Sequence, residues 1–184
     1  MTALRTLFLL STLTFLWGCG EEAREYEVRE NTSQNAPAKA AEPKGHVHRP
    51  YDFDLPKEWK EKDSTSGMRL LSFSDSTGSL DGSLVVLGKQ ASDLPSNINR
   101  WREQIGLSKI SDEECLKSLG EGMSKLGNFK TLHIKGPEGQ GILAGVFLLG
   151  EKVLFAKMMG PSAQTSTEEG RFIAFCTSLR AHTH

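Results

Sequence analysis

Residues 141–160 read GILAGVFLLGEKVLFAKMMG, and this stretch decides the fold because two long, mostly apolar runs flank one short polar break. The first run covers residues 142–149 and the second covers residues 152–159. Gly150-Glu151 suits a two-residue turn with glycine first, which joins antiparallel strands. Strands that are apolar on both faces are covered on both sides. The stretch therefore predicts a central hairpin of an antiparallel sheet with helices on each face.

Shorter segments predict the outer strands of the same sheet. Asp81-Gly82 has the composition of a hairpin turn, because glycine tolerates a positive φ. Pro56 cannot donate a ladder hydrogen bond, so it ends an edge-like strand. The predicted strands, from their apolar runs or apolar-polar alternation, are residues 51–55, 68–73, 83–87 and 131–134.

Helices are predicted where apolar residues recur at helical spacing. Ile98, Trp101 and Ile105 fall on one face of a first helix, with Ser96 or Asn97 as its N-cap. A second helix begins at a capping box at Ser111, and its predicted buried stripe is Leu116, Leu119, Met123 and Leu126, with Gly120 and Gly122 as weak points. A third begins at a capping box at Ser166, and its predicted inward face is Phe172, Phe175, Cys176 and Leu179.

The order of these elements predicts an α+β fold, with an antiparallel sheet sandwiched between helices. The chain has 184 residues, with 22 Lys+Arg against 23 Asp+Glu and a formal charge of -1. This balance gives no broad cationic field for a phosphate backbone, so a dedicated nucleic-acid binder is not expected. Three cysteines are too few for a scaffold built on disulfides.

The N-terminus has the features of an export signal. Arg5 precedes an apolar stretch from Leu7 to Trp17, which is too short to span a bilayer. Leu16-Trp17-Gly18-Cys19 resembles the lipobox of bacterial lipoproteins, although Trp17 replaces the usual small or β-branched residue. The resemblance implies that residues 1–18 are a signal peptide and that Cys19 becomes the lipidated N-terminus. A plain secretory signal with an incidental cysteine is the alternative.

Residues 19–48 contain almost no large apolar side chains and are rich in Glu and Ala. Such a composition cannot bury enough apolar surface to offset the entropy of ordering the chain. We therefore expect a lipidated, flexible linker over residues 19–48 and a single folded domain over residues 49–184.

Four segments of the folded part are similar to a group of bacterial lipoproteins and periplasmic proteins. They are Leu55-Pro56-Lys57-Glu58-Trp59, Met68-Arg69, residues 97–107 and residues 155–161. The domain of that group resembles the PsbP-like α/β/α fold of the photosystem extrinsic subunit. The resemblance covers roughly residues 51–180 and implies a PsbP-like fold with an accessory role. It supplies no catalytic residues.

The segment Asn99-Arg100-Trp101-Arg102 is the candidate binding surface, since the two arginines flank an inward-facing Trp101. Arginine suits carboxylate or phosphate recognition. The alternative is that Trp101 fills the core while the arginines pair with acids at the sheet edge. Lys157, in a predicted central strand, either lines a small polar pocket or extends its ammonium group to the surface.

Cysteines and histidines offer two further candidate sites. Cys115 and Cys176 form a disulfide in an oxidising compartment, are two buried, inert thiols, or take part in redox catalysis, for which the usual Cys-x-x-Cys spacing is absent. The weak candidates for binding a divalent transition ion, with surface histidines as the alternative, are His46, His48, His182 and His184. We expect neither a resident metal nor a cofactor.

These observations predict a non-enzymatic lipoprotein of the bacterial cell envelope. A lipid anchor holds it to a membrane, and the domain lies in the periplasm or otherwise outside the cytoplasmic membrane, where it binds a protein partner. The alternative is a periplasmic module that binds a small ligand or a metal.

Overall fold

The computed structural model describes residues 49–63 and 68–183. These residues form three α-helices: α1 (Leu94–Gln104), α2 (Asp112–Lys117) and α3 (Ser162–Ser178). They also form nine strands, in chain order β1 (Tyr51–Asp52), β2 (Lys60–Lys62), β3 (Arg69–Ser74), β4 (Asp81–Gly88), β5 (Gly120–Ser124), β6 (Gly127–Lys135), β7 (Gln140–Leu149), β8 (Lys152–Pro161) and β9 (Arg180–Ala181).

Seven strands form one antiparallel sheet in the order β2-β3-β4-β8-β7-β6-β5, and β1 pairs with β9 separately. The hairpin of β7 and β8 lies in the interior of the large sheet, paired from Gln140 opposite Pro161 to Leu149 opposite Lys152. Gly150 takes the positive φ of 64° that the two-residue turn requires. The predicted central hairpin is confirmed.

Each face of the large sheet packs against a helix, because side chains of β7 and β8 alternate between two apolar clusters. Phe147 and Leu154 lie beneath α3, together with its Phe172 and Phe175. The sequence neighbours of these two strand residues, Val146 and Phe155, lie beneath α1 on the opposite face. The predicted α+β fold, with an antiparallel sheet between helical layers, is confirmed.

The predicted second helix is wrong beyond its first six residues. Its capping box at Ser111 is present, but the helix ends at Lys117 and the edge strand β5 follows. Gly120 and Gly122 explain the difference: a Cβ on Gly122 would lie 2.3 Å from Cζ of Phe129, so the aromatic ring on β6 needs a glycine opposite it. Leu116 and Met123, predicted as buried, are 53% and 71% exposed.

The predicted caps of the other two helices are also wrong. Asp93 caps α1, because its carboxylate accepts a hydrogen bond from the Ser96 backbone N–H. Helix α3 begins at Ser162, directly after Pro161 ends β8. Ser166 therefore lies inside the helix, where its hydroxyl donates to the Ser162 carbonyl at 2.8 Å.

Two predicted features near the N-terminal end of the sheet need correction. The strand predicted over residues 51–55 is only Tyr51–Asp52. Asp81-Gly82 is not a turn but the start of β4, with Gly82 directly opposite Phe73. The turn before β4 is instead organised by the buried carboxylate of Asp75, which accepts hydrogen bonds from the Leu80 and Thr77 backbone N–H groups.

The predicted signal peptide, Cys19 and the linker lie outside the described residues, as do His46, His48 and His184. In residues 49–63 and 68–183, no helix is long and apolar enough to cross a membrane.

Candidate functional site

Helix α1 carries the predicted binding segment, and three of its four residues hold the local structure together. Trp101 is 5% exposed and packs edge-on against Phe155 of β8, with ring centroids 6.0 Å apart. Asn99 exchanges two hydrogen bonds with the backbone of Ile110. Arg102 donates from Nε to the Ser108 carbonyl at 2.9 Å. Asn99 and Arg102 therefore fix the loop after α1.

Arg100 and Lys157 are the residues of the predicted surface whose charged groups lie together. Arg100 is exposed and donates from Nη2 to Oδ1 of Asn97 at 2.6 Å. Lys157 is half-buried, donates from Nζ to Oε1 of Gln104 at 2.6 Å, and lies 6.0 Å from the centroid of the Trp101 ring. Neither arginine of the segment makes the expected pair with a carboxylate: Arg100 bonds an amide oxygen and Arg102 a backbone carbonyl.

The ammonium group of Lys157 is held in an unfavourable electrostatic environment. Burial lowers its pKa below the usual value, and the positive charges of Arg100 and Arg69 lower it further, while Asp81 opposes them. Asp81 itself pairs with Lys62 at 3.5 Å and with Arg69 at 3.6 Å. The sheet face around Lys157 therefore gathers several cations around one carboxylate, and we call it the Lys157 face.

A second surface feature lies beside the first turns of α1. A groove of about 460 Å³ is lined by Leu87, Gln90, Ala91, Asp93, Ser96, Asn97 and Arg100. The aliphatic side chains of Leu87 and Ala91 line it together with the Arg100 guanidinium group. The carboxylate of Asp93 also lines the groove and accepts hydrogen bonds from Ser96. The groove therefore offers apolar contact beside one positive and one negative group. We call it the α1 groove.

The two cysteines of the described chain are buried thiols and do not form a disulfide. Cys115 belongs to the cluster beneath α1 and Cys176 to the cluster beneath α3, so the sheet lies between them. Burial raises the pKa of both thiols, which keeps them protonated and weakly nucleophilic. The candidate disulfide is excluded by this placement on opposite faces.

Two histidines lie within the described residues, His133 and the candidate metal ligand His182. His182 lies with Nδ1 2.9 Å from a carboxylate oxygen of Asp52. His133, on β6, contacts Glu169 Oε2 through Nδ1 at 2.9 Å and Thr165 Oγ1 through Nε2 at 3.1 Å. Thr165 is fully buried and its hydroxyl donates to the Ser162 carbonyl, so the three side chains tie α3 to the sheet. Across the described chain, no group of three or more His, Cys, Asp or Glu could hold a metal ion.

Sequence reasoning missed most of the Lys157 face. Lys62, Arg69 and Asp81 belong to β2, β3 and β4, and their approach to Lys157 depends on the order of strands in the sheet. The sequence offered a signal for Arg69 and Asp81, because each is a charged residue at the start of a strand that is otherwise partly apolar. It offered none for Lys62, because β2 consists of charged residues only.

The fold thus defines an α+β protein whose antiparallel sheet lies between helical layers. It is similar to the solution structure of cyanobacterial PsbP (CyanoP) from Synechocystis sp. PCC 6803, with a TM-score of 0.47 and 12% identity over 73% of this chain and 88% of that chain. It is also similar to a crystal structure from Bacteroides thetaiotaomicron VPI-5482, with a TM-score of 0.42 and 9% identity. That likeness covers 73% of this chain and 46% of the other. No family model and no curated protein matches the sequence.

Proposed function

We propose that this protein is a lipid-anchored lipoprotein of the bacterial cell envelope, whose domain is a non-enzymatic accessory module that binds a protein partner. The anchor rests on the sequence Leu16-Trp17-Gly18-Cys19 that ends the apolar N-terminal stretch. Acyl chains contribute roughly 0.8 kcal/mol per buried CH₂, so two or more chains anchor a protein stably. Binding rests on one observation, the α1 groove with the exposed Arg100 beside it.

The α1 groove suits a partner segment that presents a carboxylate next to an aliphatic side chain. Arg100 supplies a guanidinium group, which forms bidentate hydrogen bonds with carboxylates. Leu87 and Ala91 are partly buried and pack against the cluster beneath α1, so they give the groove a fixed apolar wall. Asn97 donates from Nδ2 to the carbonyls of Ala91 and Asp93, which ties α1 to the segment that forms the other side of the groove.

The anchor is tested by metabolic labelling with radioactive palmitate in a bacterial host. The wild-type chain should incorporate the label, and Cys19→Ala should abolish incorporation because the acceptor thiol is gone. Globomycin should cause the unprocessed form of the wild-type chain to accumulate. Equal labelling of wild type and Cys19→Ala, or no labelling of either, would contradict lipidation at Cys19.

Partner binding is tested by affinity purification of the tagged full-length chain from detergent-solubilised native envelope. The wild type should recover a saturable protein partner, and Arg100→Gln should reduce recovery by about tenfold because a charged hydrogen bond is lost. Lys109→Gln is the matched control, since it removes one positive charge from the exposed loop beyond the other end of α1. If Arg100→Gln and the wild type recover equal amounts of the partner, the α1 groove is excluded as the binding site. If the wild type recovers no saturable partner, the accessory role is refuted.

A further inference from the structure

A row of four directly paired residues crosses the Lys157 face. Lys62 of β2 lies opposite Ser72 of β3, Ser72 lies opposite Ser83 of β4, and Ser83 lies opposite Lys157 of β8. Directly opposed residues of antiparallel strands point to the same face of a sheet. With neighbouring strands about 4.8 Å apart, the backbones of Lys62 and Lys157 are separated by about 14 Å. The two lysines therefore flank two serines on one face.

The serines of this row are buried, yet their hydroxyl groups have no hydrogen-bond partner among the described residues. Ser72 is 5% exposed and Ser83 is 9% exposed, and Ser74, two residues further along β3 on the same face, is 4% exposed. Buried polar groups in proteins are nearly always hydrogen-bonded. No fully sealed side-chain oxygen or nitrogen of the described chain lacks a partner, so these hydroxyls are still accessible from the face. A ligand that reaches this face could therefore accept hydrogen bonds from both hydroxyls.

Positive side chains gather near this row. Lys62 and Arg69 form ion pairs with Asp81, and the charges of Arg100 and Arg69 act on the ammonium group of Lys157. The whole chain has a formal charge of -1, so this gathering does not reflect a general positive charge of the protein. Bringing an anion to the face would offset the repulsion among these cations, and the half-buried position of Lys157 would strengthen the interaction because screening by solvent is weaker there.

We propose that the Lys157 face binds a phosphate group, held by the hydroxyls of Ser72 and Ser83 and by the ammonium group of Lys157. Phosphate is favoured over a carboxylate because its three or more oxygens, arranged as a tetrahedron, accept from donors that come from several strands. Lysine is a compact point charge with three donors, which suits a phosphate oxygen. The site goes beyond the proposed partner-binding role, because it lies on the sheet face and needs no protein partner.

The test is calorimetric titration of the full-length chain in dodecyl maltoside micelles with two probes. One arm uses inorganic phosphate, and the other uses dihexanoyl phosphatidic acid, whose headgroup carries the same chemistry on a lipid. At least one probe should give saturable heat, while sodium chloride at equal ionic strength should not. Binding of phosphate indicates a free phosphate-bearing solute, and binding of the lipid alone indicates a headgroup.

Ser83→Ala is the decisive variant. It removes a hydroxyl that makes no hydrogen bond to another described residue, so the circular dichroism spectrum and melting temperature should be unchanged. The affinity for the probe should nevertheless fall by about tenfold, because a hydrogen bond to a charged group is lost. Lys157→Gln should weaken binding at least as much. Lys130→Gln is the matched control, because Lys130 lies on the same sheet face but is paired with Glu121. The affinity of this variant for the probe should equal that of the wild type.

The proposal is overturned if neither probe binds the wild type, or if Ser83→Ala and Lys157→Gln bind as tightly as Lys130→Gln. These outcomes are independent of the partner experiment, which uses Arg100→Gln and a protein readout. Phosphate binding without a recovered partner would support the phosphate site and refute the accessory role. Recovery of a partner without phosphate binding would support the accessory role and refute the phosphate site.

Discussion

Replacing Phe73 with alanine should lower the free energy of unfolding by about 3–5 kcal/mol, the cost typical of removing a buried aromatic ring. Phe73 is fully buried, stacks on Trp59 with centroids 4.9 Å apart, and lies 5.2 Å from the ring of Phe175. It also covers Gly82, where a Cβ would lie 2.2 Å from Cε2 of the ring. The variant would leave a cavity between the sheet and α3.

Phe73→Ala should also lower stability indirectly, because the position of Trp59 depends on its stacking against Phe73. The indole Nε1 of Trp59 donates to Oε2 of Glu168 at 2.8 Å, and Oε1 of the same buried carboxylate accepts from Arg171 at 2.8 Å. A displaced Trp59 would leave one oxygen of Glu168 without its donor, which adds a desolvation cost.

Urea denaturation of the full-length chain measures the effect of Phe73→Ala. Leu148→Ala is the control, since Leu148 is a large apolar residue of the same sheet that is 54% exposed. Its truncation should change stability by no more than about 0.5 kcal/mol. If the two variants had the same denaturation midpoint, the cluster of Trp59, Phe73 and Phe175 would not be a main source of stability.

Replacing Trp101 with alanine should have an effect of similar size on the opposite face, about 3–5 kcal/mol. Trp101 lies between Ile98 and Ile105 on the buried side of α1 and contacts Phe155 of β8. These three residues are the buried apolar side chains that fix α1 and the residue after it to the sheet. Without the indole ring, the apolar contacts of α1 would be those of Ile98 and the partly buried Leu94.

The variant Trp101→Ala should also alter the Lys157 face, because Nζ of Lys157 lies 6.0 Å from the centroid of the indole ring and donates to Gln104 of the same helix. We expect faster hydrogen exchange at the backbone amides of residues 97–104 and weaker phosphate binding. Trp101→Phe is the control that keeps an aromatic ring against Phe155. Exchange at residues 97–104 that is unchanged in Trp101→Ala would show that α1 is positioned by other contacts.

Local sequence patterns correctly predicted those elements whose structure is determined by residues within the same segment. The β7-β8 hairpin follows from two apolar runs and a glycine turn, and the start of α2 follows from the reciprocal hydrogen bonds of Ser111 and Glu114. The prediction of secondary structure failed where a residue of an adjacent strand determines which element forms. Leu116, Leu119, Met123 and Leu126 are spaced like a helix face. Residues 120–124 nevertheless form a strand, because the ring of Phe129 lies over Gly122.

The sequence by itself therefore determined the sheet's central hairpin, the buried side of α1 and the inward face of α3, because hydrophobic periodicity acts within each segment. Only the tertiary structure placed Cys115 and Cys176 on opposite faces of the sheet and set Lys62, Ser72, Ser83 and Lys157 in one row. These relations depend on strand order and register across the whole sheet. Strand order and register come from the packing of distant segments, so no single stretch of sequence contains them.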